Sequence, residues 1–452
     1  MRDIDLTEGA IGSHFKALAV PAALGMLFST LYNVVDVYFA GQISTQAQAG
    51  LAIGFQAFFV MMSVGFGLGA AMSALVANAR GQKDDDAARR LASQGISFGV
   101  VAVFLLMLGA AFAGPYVIAV VSEAGAYRDA ATTYFYWLIL ALPGFLLAYG
   151  ANGILQAHGD TVSMQRALMV AFVANIALNP LLIYGIPGVT PPLGLSGIAL
   201  ATVISQTGVM IWILRQVMAR RIMTGFRLSW LKPDLPTYRE IAEQLLPTTT
   251  ALMVMFVSGF VVQFALKGFG AEAIAAYGVA LRVEQILLLP VLGMTGALLP
   301  IAAQNYGAEQ FDRVREALVM CAKLGFVMTF AAFPILWFAS PFVIALFSDD
   351  PEVVRIGVSY LRVDGFLFPI YMMLFAINSF LQALKRPIWT LWISVYRQGF
   401  GVAFFIWVYV GVLGMSVWGV WIGIATAVTT GWLIALLVAK RVADQKIGGL
   451  RA

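Results

Sequence analysis

Only one cysteine and two histidines occur in the 452 residues. One thiol, Cys321, excludes an intramolecular disulfide, and His14 and His158 without a Cys/His cluster leave no zinc or haem signature, so no metal or cofactor is expected. Charge is scarce as well, with Asp, Glu, Lys and Arg making up 11% of the chain. The first nine residues, MRDIDLTEG, lack the basic flank and small-residue cleavage site of a signal peptide, and a retained, unstructured tail is expected. No nucleophile and base pair or large catalytic loop appears, so an enzyme is not expected.

What is abundant is hydrocarbon. Hydrophobic residues are 61% of the chain and the mean hydropathy is +0.86, which describes a polytopic membrane protein rather than a globular one. Apolar runs long enough to cross a ~30 Å core at ~1.5 Å per residue recur twelve times, from 14–41 to 414–438. Every backbone N–H and C=O must be satisfied within such a segment, so the spans are read as helices and the fold as all-α.

Lysine and arginine are unevenly shared between the two sides. The termini and the loops after even-numbered spans hold 23 of the 28, including Arg2, Arg397 and Arg451. That bias places both termini in the cytoplasm, with the protein in the inner or plasma membrane. The net charge of +5 follows from this topology; nucleic acid is not an expected partner, because the basic residues are scattered over loops with acids interleaved.

The chain repeats itself. Shifted by 226, Gly67, Ala71, Ala77, Gly81, Asp86 and Arg89 fall on Gly293, Ala297, Ala303, Gly307, Asp312 and Arg315, and Asn152, Leu155, Gln156 and Ala157 fall on Asn378, Leu381, Gln382 and Ala383. Six spans per half, an even number, make the repeats parallel, two bundles rocking about a site between them. The expected division is an N-lobe over 1–218, a cytoplasmic loop over 219–243 and a C-lobe over 244–452.

Asp36 lies within the first of these apolar spans. A carboxylate in hydrocarbon costs on the order of 3 kcal/mol on insertion scales unless it is protonated or ligated, so it is taken as the chemical centre. Tyr32 and Asn33 stand one turn before it and are read as its supports. With a one-residue gap Asp36 aligns to Gln263, so coupling is expected to be confined to the N-lobe unless other charges intervene. Arg282 and Glu284 near the middle of the eighth span and Asp364 in the tenth are such charges. They are read either as an Arg282–Asp364 ion pair that fixes packing or as a second proton or cation site.

Other features weigh toward structure. Gly65, Gly67 and Gly69 form no phosphate loop, since no strand precedes them, and are read as close helix packing. Of the seven prolines noted within spans, Pro21 shares a helix with Asp36 and is the one read as a switch that bends when Asp36 protonates. Met61, Met62, Met253, Met255, Met294, Met372 and Met373 offer flexible thioethers to a promiscuous cavity.

The runs LYNVVDVYFAG, GQ-x-D after Ala79, AAYGVALRVE, LLPIAAQNYGAE and FLQALKRP together resemble the multidrug and toxic compound extrusion (MATE) transporters over nearly the whole chain. An acid in the first span is similar to the DinF-like branch. The resemblance implies a V-shaped pair of six-helix lobes that exports organic, often cationic and amphipathic compounds as a monomer, by antiport against H⁺ or Na⁺. Carried over by position, it implies a coupling site of Asp36, Asn175, Asn179 and Thr202. Members with a well-defined Na⁺ site have a second Asp where this chain has Asn179. A hard cation wants several oxygen ligands while a proton needs one carboxylate, which favours H⁺ over the Na⁺ alternative. A lipid-linked oligosaccharide flippase is the competing reading; its pyrophosphate would call for several cations in the N-half spans, which hold almost none.

Overall fold

The computed structural model describes residues 4–121, 125–185, 188 and 191–450. Arg2 and Arg451, counted above among the cytoplasmic cations, lie outside these residues. Among the described residues there are helices and turns but no strands. Eleven helices are long and apolar enough to cross a membrane, and a bent pair supplies a twelfth span.

The spans are Ile11–Ile43, Thr45–Gly81, Asp85–Val121, the bent pair Ala126–Ile139 and Leu142–Ala157, then Val162–Tyr184 and Leu195–Met218. The second half repeats the series with Leu235–Leu266, Ala271–Gly307, Phe311–Trp337, Pro351–Ala383, Ile388–Val412 and Val417–Ile447. These are numbered spans 1 to 12. Several run well beyond the apolar windows, because polar caps carry the helix past the hydrocarbon. Asp84 accepts from Ala87 N at 2.8 Å before span 3, Ser44 from Ala47 N at 3.0 Å before span 2, and Asp350 from Glu352 N at 2.8 Å before span 10.

Span 4 bends by 49° just before Leu142. Pro143 follows the break, where its missing N–H and ring disfavour a continuous helix. The second limb then packs tightly on span 2: a Cβ on Gly153 would stand 2.1 Å from the Gly69 carbonyl oxygen and one on Gly69 2.8 Å from the Tyr149 carbonyl oxygen. Gly65 backs onto Leu146 in the same way, so these glycines do serve close packing.

The chain divides into two compact units, unit 1 being Met1–Asp5 with Leu24–Leu245 and unit 2 being Leu6–Ala23 with Leu246–Ala452. This differs from the division at 218 and 243 in two respects. The 219–243 segment is no free loop: Gln94 of span 3 donates to Trp230 O at 2.9 Å and Lys232 O at 2.8 Å and accepts from Asp234 N at 2.9 Å, and the Arg89 guanidinium covers Trp230. It belongs to unit 1. Conversely, the first part of span 1 belongs to unit 2, where a Cβ on Gly293 would lie 2.8 Å from Ala19 O and Ala23 N. Pro21 therefore sits in unit 2 and Asp36 in unit 1.

The segment expected to be an unstructured tail is docked over its described part. Leu6 is fully buried, its N–H donates to Gln304 Oε1 at 3.0 Å, and Asn305 and Arg313 donate to its carbonyl. The polar groups of this contact, which water would otherwise satisfy, are paired on the protein once the apolar Leu6 side chain is buried.

The repeat is written in the backbone as well. Positive φ at non-glycine residues occurs at Lys83 and, 226 later, at Glu309, and Gly159 at φ +75° is matched by Lys385 at φ +56°.

Candidate functional site

Unit 1 gathers its polar residues round Asp36, which is 4% exposed. Its Oδ1 accepts from Asn175 Nδ2 at 3.0 Å and from Asn179 Nδ2 at 2.9 Å, and its Oδ2 from Thr202 Oγ1 at 3.2 Å. Asn179 Nδ2 also reaches Asn175 Oδ1 at 3.1 Å. The donors come from spans 5 and 6. Asn175 and Asn179 stand four apart, so one helix face presents both amides to the same acid, and Thr202 adds a hydroxyl from the neighbouring helix. All three are buried. Three donors on one carboxylate offset much of the desolvation that burial imposes.

Tyr32, four residues before Asp36, is buried, and its hydroxyl lies among Thr202, Ser205 and Asn175 without making a hydrogen bond. Tyr134 of span 4 is 1% exposed and interacts electrostatically with Asp36 and Tyr32; nothing in its sequence surroundings distinguishes it from a core aromatic. Asn33 does not join the cluster. It is half-buried and donates back to Ser29 O at 2.9 Å, since an i−4 carbonyl lies nearer than a neighbouring helix. Asn179 Oδ1 is buried and has no partner among the described residues.

Unit 2 carries a second polar cluster, and the expected Arg282–Asp364 pair is not part of it. Arg282 is exposed, and no ion pair joins it to Asp364 among the described residues. Residues two apart on a helix face different sides, so when Glu284 turns inward Arg282 turns out. Glu284 accepts from Tyr360 Oη at 2.7 Å and interacts electrostatically with Asp364 and with Arg397. Asp364 is 1% exposed and neither of its carboxylate oxygens has a hydrogen-bond partner among the described residues. Tyr277, Tyr360 and Trp421 close one side, Tyr277 stacked on Trp421 at 6.1 Å and Tyr360 edge-on to it at 5.0 Å.

Arg397, assigned above to a cytoplasmic loop, lies inside span 11, in the π-helical stretch Val395–Gly401. Its side-chain stem packs against Gly431, and its Nε is buried with no partner among the described residues. The signal that would have found it is the one that found Asp36, a charge within an apolar run; Trp389, Trp392 and Phe400 flank it. A π-bulge aims such a side chain where a regular helix would not.

The methionines divide otherwise than expected. Met61, Met62, Met294 and Met372 are buried core residues, and Met255 is 38% exposed. No group of three or more His, Cys, Asp or Glu side chains converges as a metal site among the described residues.

Buried acids and a half-buried arginine within long apolar helices are the mark of a polytopic membrane transporter. The MatE family model matches residues 21–181 and 247–407, two stretches offset by the same 226 as the repeat, and the chain belongs to the MATE family of transporters. Among its relatives, an FAD transporter of Shewanella oneidensis is 26% identical over 400 residues, 87% of this chain and 86% of that one. The multidrug export protein MepA of Staphylococcus saprophyticus is 24% identical over 456 residues, 99% of each chain. In fold the chain is similar to a MOP superfamily transporter from Pyrococcus furiosus, with a TM-score of 0.91, 21% identity and 99% of each chain covered.

Proposed function

We propose that this protein is a multidrug exporter that drives organic, often cationic and amphipathic, compounds out of the cell by antiport against H⁺, with Asp36 as the coupling residue. The observation that carries the reading is the Asp36 carboxylate held by Asn175, Asn179 and Thr202. A lone carboxylate ringed by donors is suited to gaining and losing one proton: the amides and hydroxyl support the anion and are released when it is neutralised. Na⁺ would need those same side chains to turn oxygens inward, and Asn179 supplies an amide where a second carboxylate would bind a cation better. In this reading the protein sits in the inner or plasma membrane with both termini cytoplasmic, which the bias of Lys and Arg supports, and Pro21 provides the weak point at which span 1 bends.

The test is drug and dye efflux from a pump-deficient host, with and without an uncoupler and with and without Na⁺. Export that persists in Na⁺-free medium and collapses with the uncoupler supports H⁺; strict dependence on Na⁺ overturns it. FAD belongs among the cargoes tried, because one relative bears that name. Multidrug export itself fails if no organic cation is moved and FAD alone is.

A second reading, in which Glu284 and Asp364 form a further coupling site in unit 2, is favoured by the orphan oxygens of Asp364. Buried acceptors of that kind call for a proton or a cation to satisfy them.

A further inference from the structure

The two halves end spans 4 and 10 with the same turn and opposite charge. In unit 1, Gly159 takes φ +75° and Asp160 N donates to Leu155 O at 2.9 Å; in unit 2, Lys385 takes φ +56° and Arg386 N donates to Leu381 O at 2.8 Å. The positions correspond at the offset of 226. Asp160 is buried, accepts from Ser163 N at 2.9 Å and Ser163 Oγ at 2.7 Å, and pairs with the buried Arg220. At the same offset Asp160 becomes Arg386, Arg220 becomes Lys446, and Arg215 becomes Arg441. Unit 2 keeps the cations and lacks the anion.

Two of those cations, Arg386 and Arg441, border a cavity. Arg386, Trp389, Leu437, Arg441 and Gln445 line about 310 Å³, and among the described residues neither arginine makes an ion pair with an acid. The cavity continues into an apolar track. Leu433 and Leu437, 50% and 69% exposed, stand at four-residue spacing below Arg441 on span 12, and Trp392, 58% exposed, lies one turn beyond Trp389 on span 11. A track that runs from arginines past an indole to exposed leucines matches the passage from headgroup layer to acyl chains.

We propose that this cavity binds one anionic phospholipid, its phosphate standing between Arg386 and Arg441 where unit 1 has the Asp160 carboxylate, and its acyl chain lying along Leu433, Leu437 and Trp392. The apolar track distinguishes a lipid from a free anion, which would use only the arginines. Neither arginine is buried, so both can be neutralised without leaving an unpaired charge in the core.

The full-length protein in mild detergent is titrated with phosphatidylglycerol, phosphatidylcholine and inorganic phosphate, with binding read by native mass spectrometry and by thermal shift. Phosphatidylglycerol is expected to fill one site at concentrations where phosphatidylcholine does not. At roughly five-fold per arginine, the Arg386→Gln/Arg441→Gln variant lowers its affinity about 25-fold, and Leu433→Ser/Leu437→Ser weakens it while leaving any phosphate binding unchanged. Arg386→Lys keeps most of the binding, and monodisperse elution with unaltered helicity shows each variant folded. Equal retention of the two lipids, or phosphatidylglycerol binding that ignores the double arginine variant, overturns the proposal. So does inorganic phosphate competing at equal affinity with no dependence on the leucines, which would make this a free-anion site.

Discussion

Unit 1 surrounds its buried acid with donors, and unit 2 leaves one of its acids with none. Asp36 accepts three hydrogen bonds from two helices, whereas Asp364 accepts none among the described residues and has Glu284 for an electrostatic neighbour. The same inversion recurs at the turn after spans 4 and 10, where a closed Asp160–Arg220 pair in one unit corresponds in sequence to an open Arg386–Arg441 cavity in the other. A duplicated scaffold has thus kept its backbone and diverged in its charges. A carboxylate with both oxygens engaged is held in one arrangement, while one with bare oxygens has something still to bind.

The largest effect is expected at Asp36. Asp36→Asn keeps the shape and the volume but cannot exchange a proton, so export falls to background while the protein still inserts and elutes as a folded species; near wild-type drug resistance in the variant removes the coupling role. The contrast between the units breaks if Asp364→Asn is equally inactive. Instead Asp364→Asn is expected to keep part of the export and to lose no thermal stability, because the replaced oxygens accept nothing.

Next in size is the ion pair that distinguishes the two turns. Asp160→Asn or Arg220→Gln leaves one buried charge unpaired and costs about 3–5 kcal/mol in unfolding, and the double variant recovers much of it. Thermal denaturation in detergent reads both, and additive losses in the double variant contradict the pairing.

Smaller again, Tyr360→Phe removes the donor to Glu284 and costs about 1–3 kcal/mol. The smallest change belongs to Arg282: Arg282→Gln is expected within about 0.5 kcal/mol of wild type, since the side chain is exposed. A large loss there would restore the ion pair that the geometry denies.

Residues that are legible in the sequence differ from hidden ones for a physical reason. Asp36 is legible because a single acid in hydrocarbon is conspicuous, whereas Asn175, Asn179 and Thr202 enter only through the family resemblance. Arg397 escaped although it is equally conspicuous, because it was assigned to a loop when span 11 starts at Ile388. Asn33 stands near Asp36 along the helix, yet the i−4 carbonyl of Ser29 satisfies it. Tyr134 carried no signal at all, since a buried tyrosine beside an acid reads the same as one in the core.

Composition alone determined that this chain spans a membrane many times as helices, because hydrocarbon forbids unpaired backbone groups and leaves few alternatives. The internal repeat, the twelve spans and the identity of the central acid were likewise set by one-dimensional pattern. Tertiary structure decided which inward-facing charges meet. It turned Glu284 in and Arg282 out, brought Tyr360 to Glu284, drew Leu6–Ala23 into unit 2 and docked the inter-lobe segment on span 3. Those outcomes depend on helix rotation and on contacts between residues far apart in the chain, which periodicity within one helix does not specify.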